Sequence, residues 1–219
     1  MNEQKRIEKI IKTLRKEVNK YKRPAVTKVA YTEKSPFKVL IACLLSLRTR
    51  DEVTEKAAPS LFALADTPEK MLKLNVKQIE KAIYPVGFYR TKARRIKEIC
   101  KTLIERYNSK IPDEIDELLK LKGVGRKTAN IVITQAFQKP GIPVDTHVHR
   151  ISNRLGFVNT KTPEKTEIEL RNKLPQKFWI EYNDLLVTWG QNICVPISPK
   201  CSICAINQYC PRIGVVRSR

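Results

Sequence analysis

Residues 121–150 read LKGVGRKTANIVITQAFQKPGIPVDTHVHR, and the short glycine turn near the start of this stretch decides the fold. One helical pattern ends just before Gly123-Val124-Gly125, and a second begins at Lys127. Glycine tolerates positive φ and has no Cβ, so the backbone of such a turn can closely approach another molecule. The pattern predicts a helix-hairpin-helix over about residues 114–137.

The second helix of this hairpin begins beside two cationic residues, Arg126 and Lys127. The first turn of a helix has backbone N–H groups without intrahelical partners, and these groups bind phosphate. A glycine turn alone is typical of a plain connection between two helices. The flanking helices, the apolar anchors Leu121 and Val124, and the two cations favour a grip on a phosphate backbone, which positions DNA without reading its sequence.

The rest of the chain also carries helical periodicity, with no convincing alternation of apolar and polar residues. Ser35-Pro36 is a helix start, and the apolar run over residues 37–45 predicts a helix buried on all sides. A long helix is expected from about Thr91 to Tyr107. The predicted fold class is all-α.

Local signals divide this helical chain further. Asn75 and Gln78 have the spacing of a capping box at the start of a helix. The helix that begins near Asp51 is expected to kink or end at Pro59. The Pro-Gly-Ile-Pro stretch at 140–143 is the best candidate boundary, and it predicts two compact helical lobes with a cleft between them.

The charge of the chain indicates a polyanionic partner. Its 219 residues include 43 Lys and Arg against 22 Asp and Glu, a formal net charge of +21. Phosphate contacts release condensed counterions, so this excess favours nucleic acid over a ribosomal-type or merely soluble basic protein. The chain has no apolar run of 18 residues, and its charged N-terminus is unlike a signal peptide. These features predict a cytoplasmic, nucleoid-associated protein without a membrane segment.

Four of the six cysteines lie within the last 26 residues with the spacing C-x6-C-x2-C-x5-C: Cys194, Cys201, Cys204 and Cys210. In a reducing compartment cysteines are more often ligands or core residues than disulfides. Core packing does not explain four soft ligands in a short, loop-like tail, which leaves a structural zinc ion or an iron–sulfur cluster. Cys43 and Cys100 lie in apolar helical stripes and are expected to be buried thiols.

The chain resembles the helix-hairpin-helix, glycine/proline-rich loop and aspartate superfamily of DNA glycosylases, and within it the endonuclease III family. The resemblance runs through LLSLRTRD (44–51), VGFYRTKA (86–93), LKGVGRKTAN (121–130), VDTHVHRISNRLGF (144–157) and the terminal cysteines. It implies a six-helix barrel lobe over residues 29–139 that contains the hairpin. It also implies a second lobe from residues 1–28 with 140–219, a 4Fe–4S cluster on the four cysteines of loop 194–210, and DNA bound in the cleft.

The resemblance implies that Lys127 is the catalytic nucleophile and Asp145 the catalytic carboxylate. A neutral lysine amine can attack C1′ of the sugar, and a carboxylate can stabilise the cationic transition state as the base leaves. Asp145 also precedes a helix start, so it is expected to cap that helix as well. The implied enzyme is a monomer that acts on double-stranded DNA with damaged bases or abasic sites. It removes oxidised pyrimidines and then nicks the strand by β-elimination.

Further residues are expected to contact DNA. By family match Phe88 wedges into the strands, while Arg48 stands where bacterial relatives commonly have a glutamine that fills the vacated space. The predicted phosphate or cleft contacts are Gly123, Gly125, Arg126, His147 and Lys200.

Two other functions are compatible with part of this pattern. A monofunctional mismatch glycosylase would remove adenine or thymine, but such relatives generally lack a lysine at the position of Lys127. A non-catalytic DNA-binding module would use the hairpin and the metal centre only as grips. The presence of both Lys127 and Asp145 argues against this last function.

Overall fold

The computed structural model describes residues 2–219, and every regular element in that range is helical, which confirms the all-α prediction. Each main helix is labelled in chain order. They are α1 (Glu3–Glu17), α2 (Ala25–Glu33), α3 (Pro36–Ser46), α4 (Asp51–Leu64), α5 (Pro68–Lys73), α6 (Val76–Ile83), α7 (Tyr89–Tyr107), α8 (Ile115–Lys120), α9 (Arg126–Phe137), α10 (Thr146–Arg154), α11 (Pro163–Lys173) and α12 (Trp179–Asn192). Short 3-10 turns lie at Val18–Lys20, Gln176–Phe178, Cys201–Ile203 and Asn207–Tyr209.

The chain folds as two compact units. One, here called the hairpin unit, is Ala25–Lys139, and the other, the cysteine unit, joins Met1–Pro24 to Pro140–Arg219. The hairpin unit includes α2 because this helix packs against α3 and α4. The lobe bounds that the resemblance implies, 29–139 and 1–28 with 140–219, stay a prediction.

Helix α3 forms the centre of the hairpin unit. Ser35 caps it by accepting a hydrogen bond from the backbone N–H of Lys38, and Pro36 occupies its first turn. Phe37 and every residue from Val39 to Leu45 are buried, as the apolar run predicted. Helices α2, α4, α7 and α9 all pack against α3, so this core fixes the positions of the loops that these helices carry.

The cysteine unit has its own apolar core. Helix α1 contributes one buried stripe, and α12 packs against both α1 and α10. The largest buried side chains of the unit are Phe157, Tyr182 and Trp189. Since α10 begins at the residue after Asp145, this packing holds that carboxylate on a rigid element.

Helix α4 was expected to kink or end at Pro59, and the expected end is wrong. Helix α4 does not end at Pro59 but runs on to Leu64, with the proline inside it. Leu61 and Phe62, which follow the proline, are buried in the core of the hairpin unit. Burial of these two side chains offsets the loss of one backbone hydrogen bond at the proline. In residues 2–219 none of the helices has the length and apolar composition needed to cross a membrane.

Candidate functional site

The hairpin between α8 and α9 is a tight turn anchored in the core. Leu121 and Val124 are both buried, and the N–H of Val124 donates to the carbonyl of Leu121 at 3.0 Å. Gly123 has φ +84°, a conformation that favours glycine. Gly125 has an ordinary φ of −97°, so of the two glycines only Gly123 uses the left-handed conformation. A Cβ at Gly125 would meet no protein atom within 4 Å, which leaves its backbone open to an external group.

Lys127 lies in the first turn of α9, two residues after this open backbone. The N-cap of the helix is Gly125, which supplies no side-chain cap, so the first N–H groups are not capped from that position. Lys127 is half-buried. It lies close enough to Cys43 of α3 for its charge to act on that thiol: burial raises the pKa of Cys43 to about 12, and the charge of Lys127 opposes the rise. The amine is therefore placed on a rigid helix start beside the core.

Arg48 and Phe88 come together in the hairpin unit. The guanidinium carbon of Arg48 lies 5.9 Å from the centre of the Phe88 ring, and the Phe88 side chain is 64% exposed. Both residues have positive φ, 51° and 56°. They line one side of a cavity of about 360 Å³, whose other lining residues are Leu44, Leu47, Thr91, Lys92, Arg95 and Gly123.

Asp145 caps α10, as its position before the helix start predicted. Its Oδ1 accepts hydrogen bonds from the backbone N–H groups of His147 and Val148, both at 2.9 Å. Two such bonds fix the orientation of the carboxylate.

The ring of His147 lies against α12. A Cβ at Gly190 would come within 2.5 Å of its Nδ1, so only glycine fits there. Arg150 Nη2 lies 3.1 Å from the same nitrogen and donates to the carbonyls of Gly190 and Cys194. His149 contacts Thr166 instead, at 2.7 Å. The contact of His147 with DNA stays a prediction.

The four terminal cysteines line one largely apolar pocket in the cysteine unit, together with Trp189, Ile193, Ile206 and the basic residues Arg154, Lys200 and Arg212. None of the six cysteines forms a disulfide. Within residues 2–219 no set of three or more His, Cys, Asp or Glu side chains is arranged so that it could hold a metal ion. The chain thus brings the predicted ligands to one pocket without gathering them tightly.

The four sulfurs lie in a pocket where they affect one another electrostatically. Burial raises the pKa of Cys204 to about 11, and the neighbouring Cys194 and Cys210 add to this rise. Arg154 Nη1 donates to Cys194 Sγ at 3.3 Å, and the backbone N–H of Arg212 donates to Cys210 Sγ at 3.4 Å. Four thiolates would repel one another here unless a metal centre shared their charge. No carboxylate lines the pocket.

Three cationic residues that contact the hairpin, the Arg48 loop and the cysteine loop were not identified from the sequence. Lys92 donates to the end of α3, Arg95 lies 3.1 Å from where a Cβ of Gly123 would stand, and Arg154 joins α10 to the cysteine loop. Each makes contacts with residues more than 25 positions away, so no local pattern identifies it. Two of them lie in motifs of the resemblance, Lys92 in VGFYRTKA and Arg154 in VDTHVHRISNRLGF, but neither motif indicated these contacts.

Comparison with known proteins gives consistent matches. The HhH-GPD superfamily of base excision DNA repair proteins matches residues 41–176, more than half of the chain. An endonuclease III of Thermotoga maritima is 49% identical over 180 residues, which cover 82% of this chain and 84% of the relative.

Two solved structures share both fold and sequence with this chain. A non-covalent complex of endonuclease III with DNA has a TM-score of 0.84 and 33% identity, and the match covers 97% of each chain. A trapped covalent intermediate of endonuclease III with DNA has a TM-score of 0.76 and 38% identity, and that match covers 81% of this chain and 84% of the other.

Proposed function

Because this chain belongs to the HhH-GPD superfamily of base excision DNA repair proteins and, within it, to the endonuclease III family, we propose that Lys127 is the nucleophile of a DNA glycosylase and AP lyase. The observation that carries the assignment is the place of Lys127 in the first turn of α9, two residues after the open backbone of Gly125. A phosphate held at this helix start would bring a sugar of the same strand close to the amine.

The reaction then follows from the chemistry of a neutral amine. Nζ of Lys127 attacks C1′ as the glycosidic bond breaks, and the departing base keeps the electron pair and takes up the proton that the nitrogen loses. The C1′–O4′ bond then breaks with its electron pair on O4′, which is protonated, while the nitrogen lone pair forms the C1′=N bond. The resulting iminium acidifies C2′, so loss of a proton there expels the 3′ phosphate by β-elimination. Water hydrolyses the remaining imine and regenerates the lysine. Base removal and strand cleavage are thus two consequences of one covalent intermediate.

Asp145 is the carboxylate in this proposal. Positive charge develops on the sugar as the base departs, and a fixed negative charge stabilises it without reorganisation. The two backbone N–H groups that donate to Oδ1 hold the Asp145 carboxyl group in one orientation.

Several residues are assigned to the grip on double-stranded DNA that contains a damaged base or an abasic site. Backbone N–H groups at Gly123 and Gly125, with the side chain of Arg126, hold phosphates. Phe88 and Arg48 enter the base stack where the target nucleotide has left it. His147 and Lys200 are assigned contacts from the cysteine unit. The substrates are oxidised pyrimidines, and the enzyme acts as a monomer.

A 4Fe–4S cluster is assigned to Cys194, Cys201, Cys204 and Cys210, because four soft ligands line one pocket. Such a cluster ligates thiolates, and hydrogen bonds to the sulfurs, like that from Arg154, tune it. Its contribution is structural, since it would fix the loop that carries Lys200. All steps at the sugar belong to residues of the protein.

Borohydride trapping tests the proposal. With a thymine-glycol duplex, the wild type should form a reduced covalent adduct, and Lys127→Gln should form none while still binding DNA. Lys122→Gln is the matched control, because Lys122 lies in the same hairpin, is exposed and pairs with Glu98 at 3.1 Å. Base release by the wild type without trapping would instead identify a monofunctional glycosylase. Binding without base release would identify a non-catalytic module.

A further inference from the structure

Two exposed side chains of the hairpin unit, Arg48 and Phe88, share an uncommon backbone conformation. Their φ angles are 51° and 56°, in the left-handed region that residues with a Cβ adopt rarely. Such residues persist only where their surroundings hold them, and they concentrate at functional sites. Some feature of the hairpin unit must therefore hold both loops in place.

The backbone of Gly87, in the Phe88 loop, contacts the Arg48 loop directly. The N–H of Gly87 donates to Thr49 Oγ1 at 3.1 Å. A Cβ at Gly87 would stand 2.5 Å from the carbonyl oxygen of Arg48, so only glycine allows this approach. The residue before Phe88 thus lies directly on the residues around Arg48.

Lys92 ties this contact to the rigid core. Its side chain extends from the first turn of α7, and its backbone N–H donates to the carbonyl of Phe88 at 3.0 Å. Its Nζ donates to Leu45 O at 2.8 Å, to Leu47 O at 2.5 Å and to Thr49 Oγ1 at 3.0 Å. Each of the three ammonium hydrogens can therefore donate one hydrogen bond at or just after the end of α3.

The environment of Lys92 is unusual for a lysine. The residue is only 9% exposed, and its three partners are two carbonyls and one hydroxyl, none of them charged. Burying a cation without a carboxylate is unfavourable, so the hydrogen bonds are what keep this side chain in place. A residue retained under such a penalty is a candidate for a positioning role.

We propose that Lys92 is a positioning residue that locks the Arg48 loop to the Phe88 loop, so that the two side chains enter DNA as one wedge. In this arrangement the Arg48 guanidinium lies 5.9 Å from the centre of the Phe88 ring. The inference rests on the proposed function, since it concerns how the damaged nucleotide is displaced. It assigns Lys92 no contact with the sugar or the base.

Loss of the lock should affect nucleotide displacement more than chemistry. In Lys92→Met the apolar part of the side chain is kept, but the three hydrogen bonds from Nζ to Leu45, Leu47 and Thr49 are lost. Displacing reacting groups by about 1 Å costs roughly 100-fold in rate, so single-turnover excision from a duplex should fall by about 10- to 100-fold. Excision from a single strand, where no stack has to be opened, should change by less than about threefold.

The chain offers a matched control on the same helix. Lys97, also in α7, donates through Nζ to Leu72 O at 2.7 Å and to Leu74 O, at the end of α5. Lys97→Met therefore removes a lysine that caps another helix in the same way, away from the Arg48 and Phe88 loops. It should lower the melting temperature about as much as Lys92→Met, while its ratio of duplex to single-strand excision stays that of the wild type.

A double-mutant comparison separates positioning from general destabilisation. If Lys92 acts through the wedge, Lys92→Met should reduce duplex excision by less than about twofold in a Phe88→Ala background. Thr49→Val is a second variant, since it removes the hydroxyl shared by Lys92 and Gly87 and should reproduce the duplex-specific loss if Lys92→Met does not fold. Equal losses on duplex and single strand, or wild-type excision by both variants, would overturn the inference. Failure of the wild type itself to form a borohydride adduct would instead refute the proposed nucleophile.

Discussion

Substitution by alanine should affect different properties at the two glycines of the hairpin: stability at Gly123 and DNA binding at Gly125. Gly123 has φ +84° and Gly125 has φ −97°. An alanine in the left-handed region costs about 1–2 kcal/mol. The added Cβ at Gly123 would lie 3.1 Å from Cδ and Nη1 of Arg95, a flexible side chain that can move aside. Gly123→Ala should therefore lower the free energy of unfolding by about 1–2 kcal/mol, or the melting temperature by about 2–8 °C.

Gly125→Ala should leave stability almost unchanged. Its φ suits alanine, and no atom lies within 4 Å of the new Cβ. Replacing glycine lowers the entropy of the unfolded chain, which stabilises by about 0.4–1 kcal/mol, while alanine is the poorer N-cap by a similar amount. The change should stay within about 0.5 kcal/mol. A methyl group on this open backbone would, however, hold a phosphate away, and losing one hydrogen bond to a charged group weakens binding by about tenfold.

Thermal unfolding and fluorescence anisotropy would measure the two effects separately. The DNA should be a duplex with a non-cleavable abasic analogue, at one fixed salt concentration, because phosphate contacts depend on salt. Wild-type affinity in Gly125→Ala would refute the phosphate grip at this turn. Wild-type stability in Gly123→Ala would refute the role assigned to its positive φ.

Three further predictions concern Asp145, the cysteines and Lys92. Asp145→Asn keeps a capping oxygen and should change stability by less than about 0.5 kcal/mol, yet slow single-turnover excision by about 100-fold or more, whereas Asp145→Ala should also lose about 1 kcal/mol of stability. Cys204→Ala should abolish visible absorption and bound iron in purified protein, while Cys100→Ala, which removes a buried thiol of the hairpin unit, should keep both; equal iron in the two variants would contradict the ligand assignment. Burial lowers the pKa of Lys92 to about 8, so the folded state binds fewer protons than the unfolded state between about pH 8 and 10.5, and urea stability of the wild type relative to Lys92→Met should rise across that range. A flat or falling difference would contradict this assignment.

Local features of the fold could be predicted from the sequence because their causes are local. The capping box of Asn75 and Gln78 is present with both hydrogen bonds, and Ser35 caps α3. Asp145 caps α10 through neighbours two and three residues away. The four cysteines share one pocket because they lie within a short stretch of chain. In each case the partners are within a few residues of one another, so spacing alone is informative.

Other features depend on contacts that spacing does not reveal. Helix α4 continues past Pro59 because Leu61 and Phe62 are buried against other helices. The left-handed conformation of Arg48 depends on a neighbouring loop, and Lys92 reaches carbonyls 45 and 47 positions away. Helix α2 belongs to the hairpin unit through its packing on α3, and no local signal in the sequence indicated that contact. Contacts between distant parts of the chain determine these features, and those contacts exist only in the folded protein.

The central claim is that Nζ of Lys127 forms the covalent bond to the sugar. Wild-type protein should be reacted with a thymine-glycol duplex under borohydride, digested with protease and nuclease, and analysed by peptide mass spectrometry. We predict a single reduced deoxyribose adduct, on the peptide that contains Lys127 and on that lysine. An adduct on any other side chain, or complete strand nicking without an adduct, would contradict the account.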